Sequence, residues 1–444
     1  MEQKFYKPDF TKAYDKKIVY INARIVDPAS KYDKVGQLLT IGDKIADFGE
    51  NIFPDNIPDD IEVIDCSGLV LTPGLLDIQV HFREPGQEYK ETLETGTKSA
   101  AAGGVTTVVT MANTDPVIDD VAVVKFLEDK ARESAYVNVH TYAAITKDLT
   151  SDKITEMQLL KDAGAIGFSN DGLPVMNSLT MRRAMQYAAM LDVPISQHAE
   201  DINLSDGGCI NEGRVSAKLG VKGMPNASEA IIVERDLLLL ELTGGHYHVL
   251  HISTHQAIDA VRRAKKKGLN VTCEAAPHHF SLTEDAVEEY RTFAKMNPPL
   301  RTQQDIDAII EGLRDGTIDA IATDHAPHEQ DSKRLPLSQA AFGIVGLETM
   351  LPLTLKLYHN YDFDLPYIIG KMTYQPADII RKPVGRIAKD YQADLTLIDL
   401  NHDWTIDTKS LFSKSKNSPF DNVKIKGRAV KTIVKGRVVY ELNF

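Results

Sequence analysis

Eight short β-type runs alternate with helical patterns through the middle of the chain, and this rhythm limits the fold more than any other feature. The strand-like runs are residues 75–81, 106–111, 137–144, 165–169, 194–198, 248–253, 270–274 and 318–323. Helical patterns fall between them, for example 91–102, 121–133, 179–191, 227–242 and 256–267. Eight strand–helix units of this kind predict an α/β fold, a (β/α)8 TIM barrel. An open doubly wound sheet is the competitor. It carries a glycine fingerprint after its first strand, whereas Gly103-Gly104 here precedes a strand.

Both ends of the chain read differently. Strand-like runs at 18–22, 37–41, 44–48 and 61–65 are separated by turn signals such as Asp27-Pro28 and Gly42-Asp43. Runs at 393–398, 429–435 and 437–441 have the same character, with Gly436 at a turn. The economical organisation is a polar N-terminal arm (1–16), a small β-sandwich from 17–72 and 386–444, and a central barrel domain over 73–385. Fifty basic against 63 acidic residues give a net charge of −13. That excludes a general nucleic-acid or anionic-membrane binder, which needs a basic face. An anionic substrate would therefore need a local counter-charge. Cys66, Cys209 and Cys273 form no CxxC pair, and their odd number fits no disulfide framework. With no signal-like apolar core near the start, a cytoplasmic protein is expected.

Barrels place their chemistry at the C-terminal ends of the strands. Strand one ends in Gln79, His81 and Arg83; Gln79 and His81 share a face because side chains alternate. Strand two runs into Asn113, strand four into Asp171, strand five into His198 and strand six into His251. Strand eight reaches Asp324, followed by His325 and His328. Histidines or carboxylates at five strand ends converge on one mouth, which predicts a metal site. Imidazole plus carboxylate without thiolate suits zinc or another borderline divalent ion. His140, His246, His248, His255, His359 and His402 read as surface or packing residues, and the cysteines as small buried hydrophobes. His278 and His279 follow strand seven and stay open. Arg83 is placed for a substrate contact; Asn113 and Asn297 are either contacts or turn residues.

Several segments together resemble the amidohydrolase superfamily and, within it, the dihydroorotase family. They are Pro73-Gly-Leu-Leu-Asp77, His81-Phe-Arg83-Glu-Pro-Gly86, Ala102-Gly-Gly-Val-Thr106, Met296-Asn-Pro-Pro-Leu-Arg301, Ala322-Thr-Asp-His-Ala-Pro-His328 and Phe342-Gly-Ile-Val-Gly-Leu-Glu-Thr349. The likeness spans about Ile18 to Tyr440 and matches the longer bacterial type, in which an aspartate, here Asp171, replaces a carboxylated lysine. The resemblance implies reversible cyclisation of N-carbamoyl-L-aspartate to L-dihydroorotate in de novo pyrimidine (UMP) biosynthesis. It implies Zn2+ at His81, Asp171, His198, His251 and Asp324, one or two ions per subunit, with Asp324 also catalytic. Arg83, Asn113 and His328 would hold the substrate carboxylate. Asn297 and the backbone around Phe342 and Gly343 would grip the ring amide edges. The charged stretch 329–341 reads as a mobile lid. A homo-oligomer is expected by analogy.

One departure stands out. The family's first strand carries His-x-His, and here Gln79 takes the first place. Glutamine offers one neutral oxygen, a poorer zinc ligand than imidazole. The group Asp171, His198 and His251 is complete; the group using His81 and Asp324 lacks a ligand. This leaves open a non-catalytic partner of aspartate transcarbamoylase. Another cyclic-amide hydrolase, of hydantoinase or allantoinase type, is the second alternative. Those enzymes generally lack the His-x-Arg clamp and use a lysine bridge, so Arg83 and Asp171 argue against it.

Overall fold

The structure is a computed structural model describing residues 2–443. Its first strands are β1 (Glu2–Phe5), β2 (Lys17–Asp27), β3 (Tyr32–Ile41), β4 (Lys44–Gly49), β5 (Glu62–Asp65) and β6 (Val70–Pro73). The central strands follow as β7 (Leu75–Val80), β8 (Val105–Thr110), β9 (Asn138–Thr141), β10 (Phe168–Ser169), β11 (Pro194–Gln197), β12 (Ile210–Asn211), β13 (Gly223–Met224), β14 (His246–Val249), β15 (Val271–Ala275) and β16 (Ala320–Ile321). The chain ends with β17 (Leu395–Thr405), β18 (Lys424–Val434) and β19 (Arg437–Asn443).

All eight expected barrel strands form. β7, β8 and β9 pair in parallel, as do β10, β11, β14, β15 and β16. Parallel bridges Ala143–Phe168 and Val80–His325 join the two runs at both seams and close the ring. Every residue of β7 and β8 is buried, as parallel strands covered on both faces require. Inside the ring Leu76, Ile78, Val109, Met111, Leu250 and Ala322 pack as one cluster. Helices follow where the 3.6-residue pattern places them, and side chains cap their starts. Thr92 caps Leu93–Ala102, Asp120 caps Val121–Ser134, Asn177 caps Ser178–Leu191 and Thr254 caps His255–Lys266. Each cap satisfies orphan N–H groups and fixes a loop at the top of the barrel. Gly103-Gly104 makes the turn from helix to strand. Gly104 has φ +83°, and a Cβ on Gly103 would lie 2.2 Å from the Leu347 carbonyl oxygen.

Several strands stop earlier than the sequence pattern implies. The residues beyond them leave the ladder: Arg83, His251 and Asp324 take φ of 61°, 30° and 50°. Non-glycine residues in this region are uncommon and gather at functional sites.

Strands from both termini form one nine-stranded sheet, ordered β1-β19-β18-β17-β6-β2-β3-β4 with β5 beside β2. This is the small β-sandwich. β6 pairs with β17 and leads directly through Gly74 into β7. The first barrel strand, and with it Gln79 and His81, is thereby fastened at its base. Within the stretch expected as a polar arm, β1 adds antiparallel to β19, with Glu2 opposite Asn443 and Phe5 opposite Tyr440. Phe5 is the reason: its ring lies 4.5 Å from that of Phe412 and 5.1 Å from that of Tyr440. No helix among the described residues is long and apolar enough to cross a membrane.

Candidate metal centre and substrate pocket

Strand ends bring two groups of buried donors together. Asp171, His198 and His251 form one; His81, Asp171 and Asp324 form the other, each with its donor atoms within 4.8 Å of one another. Asp171 belongs to both. His81 Nε2 lies 3.1 Å from Asp171 Oδ2 and 3.1 Å from Asp324 Oδ1. His198 Nδ1 lies 2.9 Å from His251 Nε2, and each lies 3.5 Å from Asp171 Oδ1. The rear nitrogens differ. His81 Nδ1 donates to Asn113 Oδ1 at 2.8 Å, and His198 Nε2 donates to Glu200 Oε2 at 2.9 Å. His251 Nδ1 is buried without a partner.

The electrostatics suit a divalent cation. Burial would raise the Asp171 carboxyl, but hydrogen bonds from His198, His251 and His81 hold it well below the usual range. Burial would lower the imidazoles, yet bonds to Asp171 and Asp324 push His81 up to about 9, and bonds to Asp171 and Glu200 push His198 up to about 10. The cluster gathers positive charge against its carboxylates. A divalent ion supplies the same charge and displaces those protons. Neutral imidazole and carboxylate oxygen are ordinary ligands for such an ion, so the residues fit it. Gln79 is fully buried, and its Nε2 donates to Asp171 Oδ2 at 3.0 Å. Its Oε1 is buried without a partner.

Beside this cluster lies a cavity of about 310 Å³. His81, Asp171, His198 and Asp324 line its floor; Arg83, His328, Asn113, Asn297, Phe342 and Gly343 line its walls. Clefts of about 380 and 560 Å³ elsewhere hold none of these groups, so chemistry rather than size picks out this one. Arg83 is buried, with Nε donating to the Pro327 carbonyl at 3.3 Å and Nη2 to His328 Nε2 at 3.2 Å. Burial, reinforced by Arg83, depresses His328 to about 2 and keeps it neutral, an acceptor for that arginine. Gly343 has φ +114°, and a Cβ there would come within 2.6 Å of Ala326 Cβ. Its N–H donates to the Lys295 carbonyl, and its own carbonyl accepts from Lys333 and Asn417, each at 3.0 Å. Its main chain is thus anchored inside the protein, which holds Phe342 and Gly343 in place on the cavity wall.

The stretch expected as a lid is hydrogen-bonded from beneath by two lysines. Lys333 Nζ, fully buried, donates to the carbonyls of Lys295, Ala341 and Gly343. Lys295 Nζ donates to those of Leu337, Ser338 and Ala340. Two buried ammonium groups satisfying six carbonyls pin residues 329–343 from beneath, a device that the segment's charged surface composition hides. None of the six histidines read as surface or packing groups lines the cavity, and all three cysteines are buried and free. His279 supports the site at one remove: its Nε2 donates to the Pro298 carbonyl at 2.9 Å, beside Asn297.

Sequence reasoning missed two carboxylates. Asp77 accepts from the Thr323 and Gln79 amides at 3.1 and 3.2 Å, tying strand one to strand eight. Glu200 accepts from His198 and, at 2.8 Å, from Asn297 Nδ2. The signal for Glu200 was its spacing, two residues past a ligand candidate on extended backbone.

A closed parallel barrel carrying an imidazole–carboxylate cluster at its strand ends, fastened to a sheet of terminal strands, defines an amidohydrolase. Solved structures agree. L-hydantoinase from Arthrobacter aurescens matches with a TM-score of 0.85 and 26% identity over 96% of each chain. D-hydantoinase from a Thermus species matches at 0.81 and 25% identity, over 95% of this chain and 94% of that one. Sequence comparison is more specific. A family profile described as Dihydro-orotase-like matches residues 68–257. Dihydroorotases from Wolbachia sp. subsp. Brugia malayi and from Ehrlichia chaffeensis are 60% and 56% identical, over 96% of each chain. That of Geotalea daltonii is 46% identical over 94% of this chain and 98% of its own. The chain belongs to the dihydroorotase family, hydrolases acting on cyclic amides.

Proposed function

We propose that the chain interconverts N-carbamoyl-L-aspartate and L-dihydroorotate with zinc, in pyrimidine synthesis, through the residues of this cavity. The observation that carries the reading is a buried Arg83–His328 clamp facing Asp324 across one cavity. Arg83, anchored by Pro327 and His328, turns its remaining N–H groups to the substrate carboxylate, where a planar fork binds best. Asn113 holds His81 through Oδ1 and keeps an amide hydrogen for that same carboxylate. Asn297 and the Phe342 main chain take the amide edges of the ring. Asp171, His198 and His251 would hold a divalent ion, which would supply polarisation of the scissile carbonyl and a lowered pKa for water. Asp324 accepts the proton that water gives up on attack and delivers it to the departing ring nitrogen; cyclisation runs the same transfer in reverse.

Asp171, His198 and His251 take the first ion. His81, Asp171 and Asp324, with Gln79 in place of a second imidazole, hold another more weakly. Residues 73–385 carry this chemistry, with 17–72 and 386–444 as their support. A homo-oligomer in the cytoplasm fits the reading. The transcarbamoylase-partner alternative rests on Gln79 alone and loses weight beside an intact clamp.

Metal stoichiometry measured together with turnover of dihydroorotate, hydantoin and allantoin tests the proposal. Dihydroorotate turnover is expected, with Gln79→His tightening the second ion. Turnover of hydantoin without dihydroorotate, or a metal-free inactive protein that binds the transcarbamoylase, overturns it.

A further inference from the structure

Glu200 stands behind two groups that the reading above gives separate tasks. We propose that it joins them: Glu200 is a positioning residue that sets both the metal-facing nitrogen of His198 and the ring-facing oxygen of Asn297. The inference rests on the dihydroorotase reading of the site.

An imidazole offers a metal one nitrogen, and the partner of the other nitrogen decides which. Glu200 Oε2 is an acceptor 2.9 Å from His198 Nε2, so that nitrogen carries the hydrogen. Nδ1 is left facing His251 Nε2 at 2.9 Å and Asp171 Oδ1 at 3.5 Å. His251 has no such partner, since its Nδ1 is unpaired. Of the pair, only His198 has its tautomer fixed from behind.

The same oxygen fixes the amide of Asn297. Oε2 accepts from Nδ2 at 2.8 Å, so the NH2 end of Asn297 faces Glu200 and Oδ1 is left for the cavity that this residue lines. An oxygen at that place accepts from a ring N–H and repels a ring carbonyl, which selects the orientation of a cyclic ureide. Ser205 Oγ donates to the other oxygen, Oε1, and holds the carboxylate still. With its two oxygens engaged, Glu200 serves as a fixed hinge post between ligand and substrate grip. His198 and Asn297 share one acceptor atom, so neither reorients without disturbing the other. Metal loading and ring recognition are thereby coupled through a residue that touches neither metal nor substrate.

Glu200→Gln and Glu200→Ala test this. Protein stripped with a chelator is titrated with zinc against a chromophoric competitor, and KM and kcat for dihydroorotate are measured at saturating zinc. Zinc affinity is expected to fall about 10–100-fold, the usual effect of removing an outer carboxylate. KM is expected to rise about tenfold, the worth of one good hydrogen bond, with kcat changing less. Adding Asn297→Ala to Glu200→Gln should raise KM no further than Asn297→Ala alone, because the two act through one contact. Unchanged zinc affinity, or KM effects that multiply, overturns the coupling. A third readout needs no variant. Nitrogen-15 shifts of His198 in the zinc-loaded wild-type chain should show Nε2 protonated and Nδ1 bound to zinc; the reverse overturns the proposal even if both variants fail to fold. Wild-type protein that neither holds zinc nor turns over dihydroorotate removes the site reading and the coupling with it. Wild-type protein that does both, beside variants equal to it, removes the coupling alone.

Discussion

Replacing Arg83 by lysine keeps the charge and removes the fork. The structure sets what is lost. Arg83 is held by the Pro327 carbonyl at 3.3 Å and by His328 at 3.2 Å, so its free N–H groups face the cavity in a fixed plane. A lysine ammonium at that depth is a single point charge and cannot keep both anchors while meeting a carboxylate edge-on. One charge-assisted hydrogen bond contributes about 1.5–3 kcal/mol, and 1.36 kcal/mol is a factor of ten in rate. Arg83→Lys should therefore lower kcat/KM roughly 10–150-fold. Arg83→Ala leaves the substrate carboxylate buried without its counter-charge, and the loss grows to about 3–5 kcal/mol, or two to four decades. Most of the change should appear in KM, because the clamp holds ground state and transition state alike. Steady-state kinetics in both reaction directions measure it. Lys7→Gln is the control: that lysine is exposed and 3.9 Å from Glu94, and its loss should change KM less than about twofold. An Arg83→Ala enzyme with KM within threefold of wild type, or a loss confined to kcat, refutes the clamp.

Other outcomes follow from the same geometry. Asp324→Asn should cut kcat by about 10²–10⁴ while substrate still binds, as expected for a lost proton carrier; isothermal titration with dihydroorotate separates the two. His328 is held neutral by burial at about 2, against about 6.5 in an unfolded chain. With the folded value depressed, the unfolded chain takes up the proton first, so stability falls as pH drops below about 6.5. At pH 5 the deficit reaches about 2 kcal/mol, and His328→Asn should flatten that limb in urea melts. The segment 329–341 should resist protease equally with and without substrate, and Lys333→Ala should open it to cleavage. A wild-type loop that becomes resistant only with substrate would restore the lid.

The barrel was legible because its strands are buried on both faces, and such strands spell near-continuous apolar runs. Its chemistry was legible because Asp171, His198, His251 and Asp324 each follow one of those runs. What the sequence concealed depends on distant partners. Phe5 looks like one more aromatic in a polar arm until Tyr440 and Phe412 come beside it. Nothing around Lys295 and Lys333 in the sequence announces their burial, and only the folded loop reveals the carbonyls they satisfy. The N–H and carbonyl of Gly343 are held by Lys295, Lys333 and Asn417, partners that no local pattern announces. Glu200 stood two residues from a ligand candidate, and its meaning required the amide of Asn297 from almost a hundred residues away.

The pairing of β1 with β19 makes the backbone nearly a closed loop. Glu2 lies opposite Asn443, so the two ends of the described segment are neighbours on one sheet edge. Every group of the metal cluster and cavity lies between residues 79 and 343, far from that seam in sequence. Joining the ends with a short linker and reopening the chain at an exposed turn, such as the one at Gly268, would reorder the strands without moving a site residue. The order of synthesis and the geometry of the cavity are thus separable, and circular permutants of this enzyme offer a way to vary one while holding the other.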